Sequence, residues 1–137
     1  MENYILVREN NKNTGPNVQY VVYCCALDDK PIYVGITKAL IRNRIYQHHS
    51  KVRSGLNRKF YNKIRNKLER CKWYIVGHNS DYQELKRMET EFIQLFNTFY
   101  LDNPEGCNLT LGGDEGGNTP SDENIAKFRK RMDDYWN

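Results

Sequence analysis

Glu89 stands where a carboxylate is hard to accommodate. At 100° per residue, Leu85, Met88, Phe92, Ile93 and Phe96 fall on one stripe of the segment from Tyr82 to Thr98, and Glu89 lies inside that stripe. Glu91 lies about 130° from its centre and is expected to face solvent. A charged carboxylate on an apolar face is costly unless something neutralises it. Glu89 therefore either pairs with a cation structurally or ligates a metal at the edge of the core. His48 poses a similar question, because it sits within the apolar stripe of Ile41, Ile45 and Val52, with Arg44 bordering the stripe on the same side and His49 on the other. Such a histidine is either a satisfied core residue or, with Arg44 four residues before it, a group that handles protons. Tyr23 and Tyr33 complete the set, each at a fixed place in a β-rich run, where sheet packing alone would also explain them.

The elements that must position these groups are legible in outline. Strands are expected at about Val18 to Leu27 and Ile32 to Thr37, joined through the turn signal Asp28-Asp29-Lys30-Pro31 into a hairpin. A third strand is expected at Lys72 to Gly77, and Tyr4 to Val7 could form another. Helical patterns fill Ala39 to Ser54, Arg58 to Arg70 and Tyr82 to Thr98. This order predicts a small mixed α/β (α+β) domain with a three-stranded, mostly antiparallel sheet flanked by helices. Three stretches follow: an extension over 1–18, a core over 19–113, and a linker with a short basic helix over 114–137.

At 137 residues the chain makes one domain. Its formal net charge of +4 conceals a strong segregation. Between Lys38 and Ile75, twelve cations stand against Glu69 alone, whereas between Val76 and Gly117 eight acids stand against Lys86 and Arg87. That pattern fits a polyanion-binding face beside a region of carboxylates, or simply a solvated pair of basic helices. Cys24, Cys25, Cys71 and Cys107 lack the short paired spacing of a zinc site, and buried reduced thiols are the expectation. No apolar run approaches the ~20 residues of a membrane span, and the first residues lack a basic-then-apolar leader, so a cytosolic protein without membrane attachment is expected.

Taken together, the odd residues fall in an order that resembles the GIY-YIG nuclease family. Val21-Val22-Tyr23 matches its first motif, with valine in place of the name-giving glycine, and Tyr33-Val34-Gly35 matches its second. Arg44 and His48 match the arginine and the histidine four residues on, and Glu89 ahead of Phe92-Ile93 matches the glutamate. Asn108 in Gly106-Cys107-Asn108-Leu109-Thr110 matches the family's asparagine, with Cys107 replacing the usual aromatic. The resemblance spans Gln19 to Gly113, and five motifs in the right order make it specific where any one is weak.

The resemblance implies a metal-dependent DNA endonuclease of phage or bacterial type, acting in the bacterial or infected-host cytoplasm. In that reading Glu89 ligates Mg²⁺ or another divalent cation such as Mn²⁺, Arg44 holds the scissile phosphate, and Tyr23 is the general base. Only about 0.1% of a tyrosine with an ordinary pKa is ionised at pH 7, so His48 is the expected relay, while Tyr33 orients water or phosphate. Gly35 and Asn108 support the site, and Lys38, Lys51, Arg53, Arg58, Lys59, Lys63 and Lys67 are the expected DNA contacts. The runner-up is a catalytically silent nucleic-acid-binding domain on the same scaffold, and the oligomeric state is left open. Beyond Gly112-Gly113 the chain resembles the junction that leads into the DNA-binding repeats of homing endonucleases. Ser121 to Trp136 then either contacts DNA through Lys127, Arg129, Lys130 and Arg131 or packs back through Ile125, Phe128 and Trp136.

Overall fold

The computed structural model describes residues 1–8 and 20–112. The basic helix expected over Ser121 to Trp136 lies outside the described residues. In chain order the elements are β1 (Ile5–Leu6), β2 (Val21–Leu27), β3 (Lys30–Thr37), α1 (Ile41–Arg53), α2 (Lys59–Ile64), β4 (Cys71–His78) and α3 (Tyr82–Phe96). The strands form one antiparallel sheet in the order β1-β4-β2-β3. The sheet thus has four strands where three were expected. The fourth is β1, inside the Tyr4 to Val7 stretch read as a possible strand; it pairs Ile5 with Ile75 and Leu6 with Tyr74, and at two residues it is too short for alternation to assign it to the sheet.

β2 is the spine of the molecule, and all seven of its residues are buried. Val21, Tyr23 and Cys25 face Ile41 and Val52 of α1 and Phe60 and Ile64 of α2. Val22, Cys24 and Ala26 face Leu85 and Ile93 of α3 on the other side of the sheet. Helices on both faces explain why this strand reads as a continuous apolar run instead of alternating. Val21, which stands in the place of the motif glycine, fills the α1 side of the core.

The hairpin between β2 and β3 turns on Asp28 and Asp29, with φ of 51° and 67°. Two successive left-handed residues make a tight hairpin turn, which aspartate tolerates better than most side chains. β3 consequently starts at Lys30, two residues earlier than expected. Pro31 is accommodated because β3 lies at the edge of the sheet, where a missing N–H breaks no ladder.

The second helix is shorter than its pattern. α2 ends at Ile64, Asn66 adopts a left-handed φ of 66°, and a single 3-10 turn over Leu68–Arg70 leads into β4. The apolar periodicity continues through this break, so the sequence reads as one helix where there are two pieces. α3 begins where the Asp81 side chain accepts the Gln83 N–H at 3.0 Å, and it ends at Asn97, left-handed at φ 56°. All four cysteines are free, with Cys24, Cys25 and Cys107 buried and Cys71 half-buried. Among the described residues no helix is long and apolar enough to cross a membrane.

Candidate active site

The site gathers along the edge strand β3, where side chains from both faces of the sheet can meet. A cleft of about 410 Å³ runs beside Val34, Gly35 and Ile36, with Arg44, Lys51, Arg58 and Tyr61 on the α1–α2 side and Glu89 on the α3 side. A loop carrying Asn108 completes it. The Asn108 side chain is buried and pairs with Val34 as a strand would, accepting its N–H at 2.8 Å and donating to its C=O at 2.8 Å. Its oxygen also accepts from the Thr98 hydroxyl at 2.7 Å, and the Cys107 N–H donates to the Ile32 C=O at 2.8 Å. The edge of β3 is thereby closed by a side chain and held in register. At the far end of the loop Gly112 has a φ of 82°, and a Cβ there would stand 2.8 Å from Glu89 Oε1. Only glycine lets the backbone pass so close to the carboxylate.

Tyr23 sits at the centre of a hydrogen-bonded cluster. Its hydroxyl lies 2.7 Å from His48 Nε2, and the Arg44 Nε–H donates to it at 3.3 Å. The opposite ring nitrogen of the histidine, Nδ1, lies 2.9 Å from the Tyr61 hydroxyl. Tyr23 pairs with Gly35 across the β2–β3 ladder, and its ring leans over that glycine. A Cβ on Gly35 would fall 2.5 Å from the Tyr23 oxygen. Tyr33 lies on the cleft wall, its ring stacked on Phe60 at 4.1 Å and 7°, with the Tyr23 ring behind it at 6.3 Å between centroids. Tyr23 itself is wholly buried and does not line the cleft.

Burial dominates the electrostatics of this cluster. It pushes Tyr23 well above the ordinary tyrosine pKa, with the neighbouring Tyr33 adding to the rise and Arg44 opposing it. Burial, together with the charge of Glu89, pushes Tyr33 up to about 12. It drives His48 down to about 3, with Arg44 and Lys51 contributing in the same direction. Both phenols are therefore protonated at neutral pH and the imidazole is uncharged.

The expected DNA contacts do not form one row. Lys51, Arg58 and Lys59 line the cleft. Lys59 Nζ also donates to the C=O of Pro104, at 2.6 Å, and of Gly106. Lys63 is ion-paired with Glu105, Lys38 lies 4.0 Å over the Tyr82 ring, and the charge of Lys67 acts on Asp28 near the hairpin turn. Arg53 is exposed in the last turn of α1. The phase of α3 is as read, with Leu85 and Ile93 buried, Glu89 half-buried and Glu91 ion-paired to Arg87.

Phe60, Tyr61 and Trp73 escaped the sequence reading. Together with Tyr23 and Tyr33 they surround the His48 ring, and Trp73 stacks on it at 5.4 Å and 17°. The adjacent pair Phe60-Tyr61 inside a basic helix was the available signal. Nothing in its spacing ties it to a histidine thirteen residues earlier. Thr98, which fixes the Asn108 oxygen, left no signal at all.

A tyrosine pair, a neutral histidine and an arginine thus meet beside a carboxylate in a basic cleft at the edge of a small antiparallel sheet, within a stretch whose sequence defines its class as a nuclease family. The family is specific: residues 18–103 match the sequence model of the GIY-YIG catalytic domain, and the chain belongs to this family. Searches of curated proteins and of solved structures found no match.

Proposed function

We propose that the protein is a DNA endonuclease that hydrolyses phosphodiester bonds with the help of one divalent cation. The observation that supports this most directly is the Tyr23 hydroxyl, held between His48 and Arg44 at the back of a cleft that also holds Glu89. A module that only bound nucleic acid would need the cations of this cleft but not its carboxylate.

The donor set fits a hard cation. Glu89 offers carboxylate oxygens at the cleft, and among the described residues no group of three or more His, Cys, Asp or Glu is arranged to hold a metal ion. One carboxylate with water and phosphate oxygens suits Mg²⁺, or Mn²⁺ in its place, better than a metal that needs a full protein cage. When bound, the cation supplies Lewis-acid stabilisation of the charge that develops on the phosphate oxygens.

The remaining chemistry belongs to the chain. Arg44 binds the scissile phosphate through its guanidinium, whose fork suits phosphate better than a lysine would. A water attacks phosphorus, forming a P–O bond as the bond to the 3′ oxygen breaks, and the departing oxygen takes a proton from solvent. The attacking water must lose a proton, and no phenolate awaits it. Tyr33, on the cleft wall, accepts that proton while passing its own to Tyr23, and Tyr23 passes its own to His48 Nε2. The neutral imidazole leaves Nε2 free to accept, and a bound phosphate offsets the charges of Arg44 and Lys51 that otherwise hold the imidazole against protonation.

Supercoiled plasmid incubated with the protein and Mg²⁺ is expected to become nicked or linear, and chelator is expected to stop the reaction. Glu89→Gln should abolish cleavage while leaving DNA affinity equal or higher. Full activity of that variant, or cleavage in excess chelator, would overturn the one-metal reading.

A further inference from the structure

The imidazole of His48 lies between two hydroxyls, and only one of its nitrogens can accept from Tyr23. Being neutral, the ring carries a single N–H, so Nε2 at 2.7 Å from Tyr23 and Nδ1 at 2.9 Å from Tyr61 cannot both donate or both stand bare. Two hydrogen-bond chains satisfy every group. In one, Tyr23 donates to Nε2 and Nδ1–H donates to Tyr61. In the other, every bond is reversed, and Nε2 already carries the proton it would need to receive.

We propose that Tyr61 is a positioning residue for the hydrolysis proposed above: its hydroxyl oxygen takes the Nδ1–H of His48 and thereby keeps Nε2 bare toward Tyr23. The inference rests on that nuclease reading for its catalytic consequence but not for its structural content. Three observations carry it. The ring is clamped by Trp73, stacked at 17°, so a flip that would exchange the two nitrogens is hindered. Tyr61 belongs to α2, whose Lys59 is tied to the backbone of the loop at Pro104 and Gly106, so its hydroxyl is delivered from a fixed helix. Tyr61 also lines the cleft, which gives its own proton an acceptor in water or in a bound phosphate and frees its oxygen to accept from the ring. A buried histidine whose second nitrogen meets a fixed acceptor is held in one tautomer.

The test compares wild type and Tyr61→Phe, both labelled with ¹⁵N-histidine, by the ring-nitrogen shifts of His48 and by steady-state cleavage. In wild type the proton is expected on Nδ1. In Tyr61→Phe the Nε2–H form should gain population, and kcat should fall by about 10–100-fold, with KM little changed, as is common when the partner that orients a functional histidine is lost. A merely structural role would lower thermal stability without moving the tautomer. The proposal is overturned if wild type carries the proton on Nε2, or if Tyr61→Phe keeps both the wild-type tautomer and the wild-type kcat. Should the variant fail to fold, the wild-type spectrum alone decides the orientation. Should wild type cleave no DNA, the nuclease reading fails while the spectrum still tests the hydrogen bond.

Discussion

His48 has no charge to lend at neutral pH, and this determines what the surrounding groups can do. A histidine on an apolar stripe beside an arginine was visible in the sequence, but its protonation state was not, because that depends on Trp73 and Phe60, which enclose it from other elements. The same enclosure leaves a mark on stability. The folded-state pKa of about 3 lies below the ordinary value of 6.5, so between the two the unfolded chain binds more protons than the folded one. The stabilisation this represents is fully present above pH 6.5 and is lost as pH falls toward 3, with a slope of up to about 1.4 kcal/mol per pH unit. Denaturant unfolding at pH 4, 5, 6 and 7 should show this loss, and His48→Gln should make the dependence shallower. His49, also held below its ordinary value by burial, supplies a smaller part that persists in the variant. An identical pH dependence in His48→Gln would mean that the imidazole is solvated.

A strand edge is the least protected part of a sheet, yet this molecule places its candidate site there. β3 supplies Tyr33 to the cleft, Gly35 makes room for Tyr23, and Asn108 seals the outer side. The motif glycine was recognisable from its neighbours, whereas its purpose needed the β2–β3 register. Gly35 does not have a positive φ, so what excludes a side chain there is the Tyr23 ring and not the backbone. That ring is buried and cannot swing away. Gly35→Ala is expected to cost about 1–3 kcal/mol, as for other overpacked cores, and to displace the Tyr23 hydroxyl from His48. Cleavage should fall further than the lost stability explains, measured at a temperature where the variant remains folded. A variant with wild-type stability and rate would show that Tyr23 has another rotamer available. The hairpin and α3 were legible because each is written locally, in a turn signal and in a stripe with its cap. The break after α2 was not, since a left-handed Asn66 interrupts the helix without interrupting its apolar periodicity, and β1, inside the Tyr4 to Val7 stretch, was legible as a possible strand but not as a member of this sheet.

Charge is segregated along the chain, and the fold puts only part of the basic segment on the cleft. Several of its cations are committed to carboxylates elsewhere: Lys63 to Glu105, Arg70 to Asp28, and Lys72 to Asp29. Sequence counting could not separate these from the rest, because their acidic partners lie about forty residues away in the chain. Arg44, Lys51 and Arg58 are different. The pKa of Lys51 is held down first by burial and then by the like charges of Arg44 and Arg58, so the three stand together as a positive cluster. Such a cluster is relieved by a polyanion. DNA affinity, measured with the cleavage-deficient Glu89→Gln variant, should therefore fall steeply with salt. Lys51→Glu with Arg58→Glu, which leaves the Lys59 and Lys63 contacts to the loop intact, should weaken binding to unrelated sequences alike and reduce the slope of log K against log salt by about 2. The triple change Lys59→Glu, Lys63→Glu, Lys67→Glu would be a poorer probe, because two of those lysines hold the loop that carries Asn108. An unchanged salt slope in the Lys51, Arg58 double variant would place the phosphate-contacting surface away from the cleft, on a face that does not adjoin Arg44.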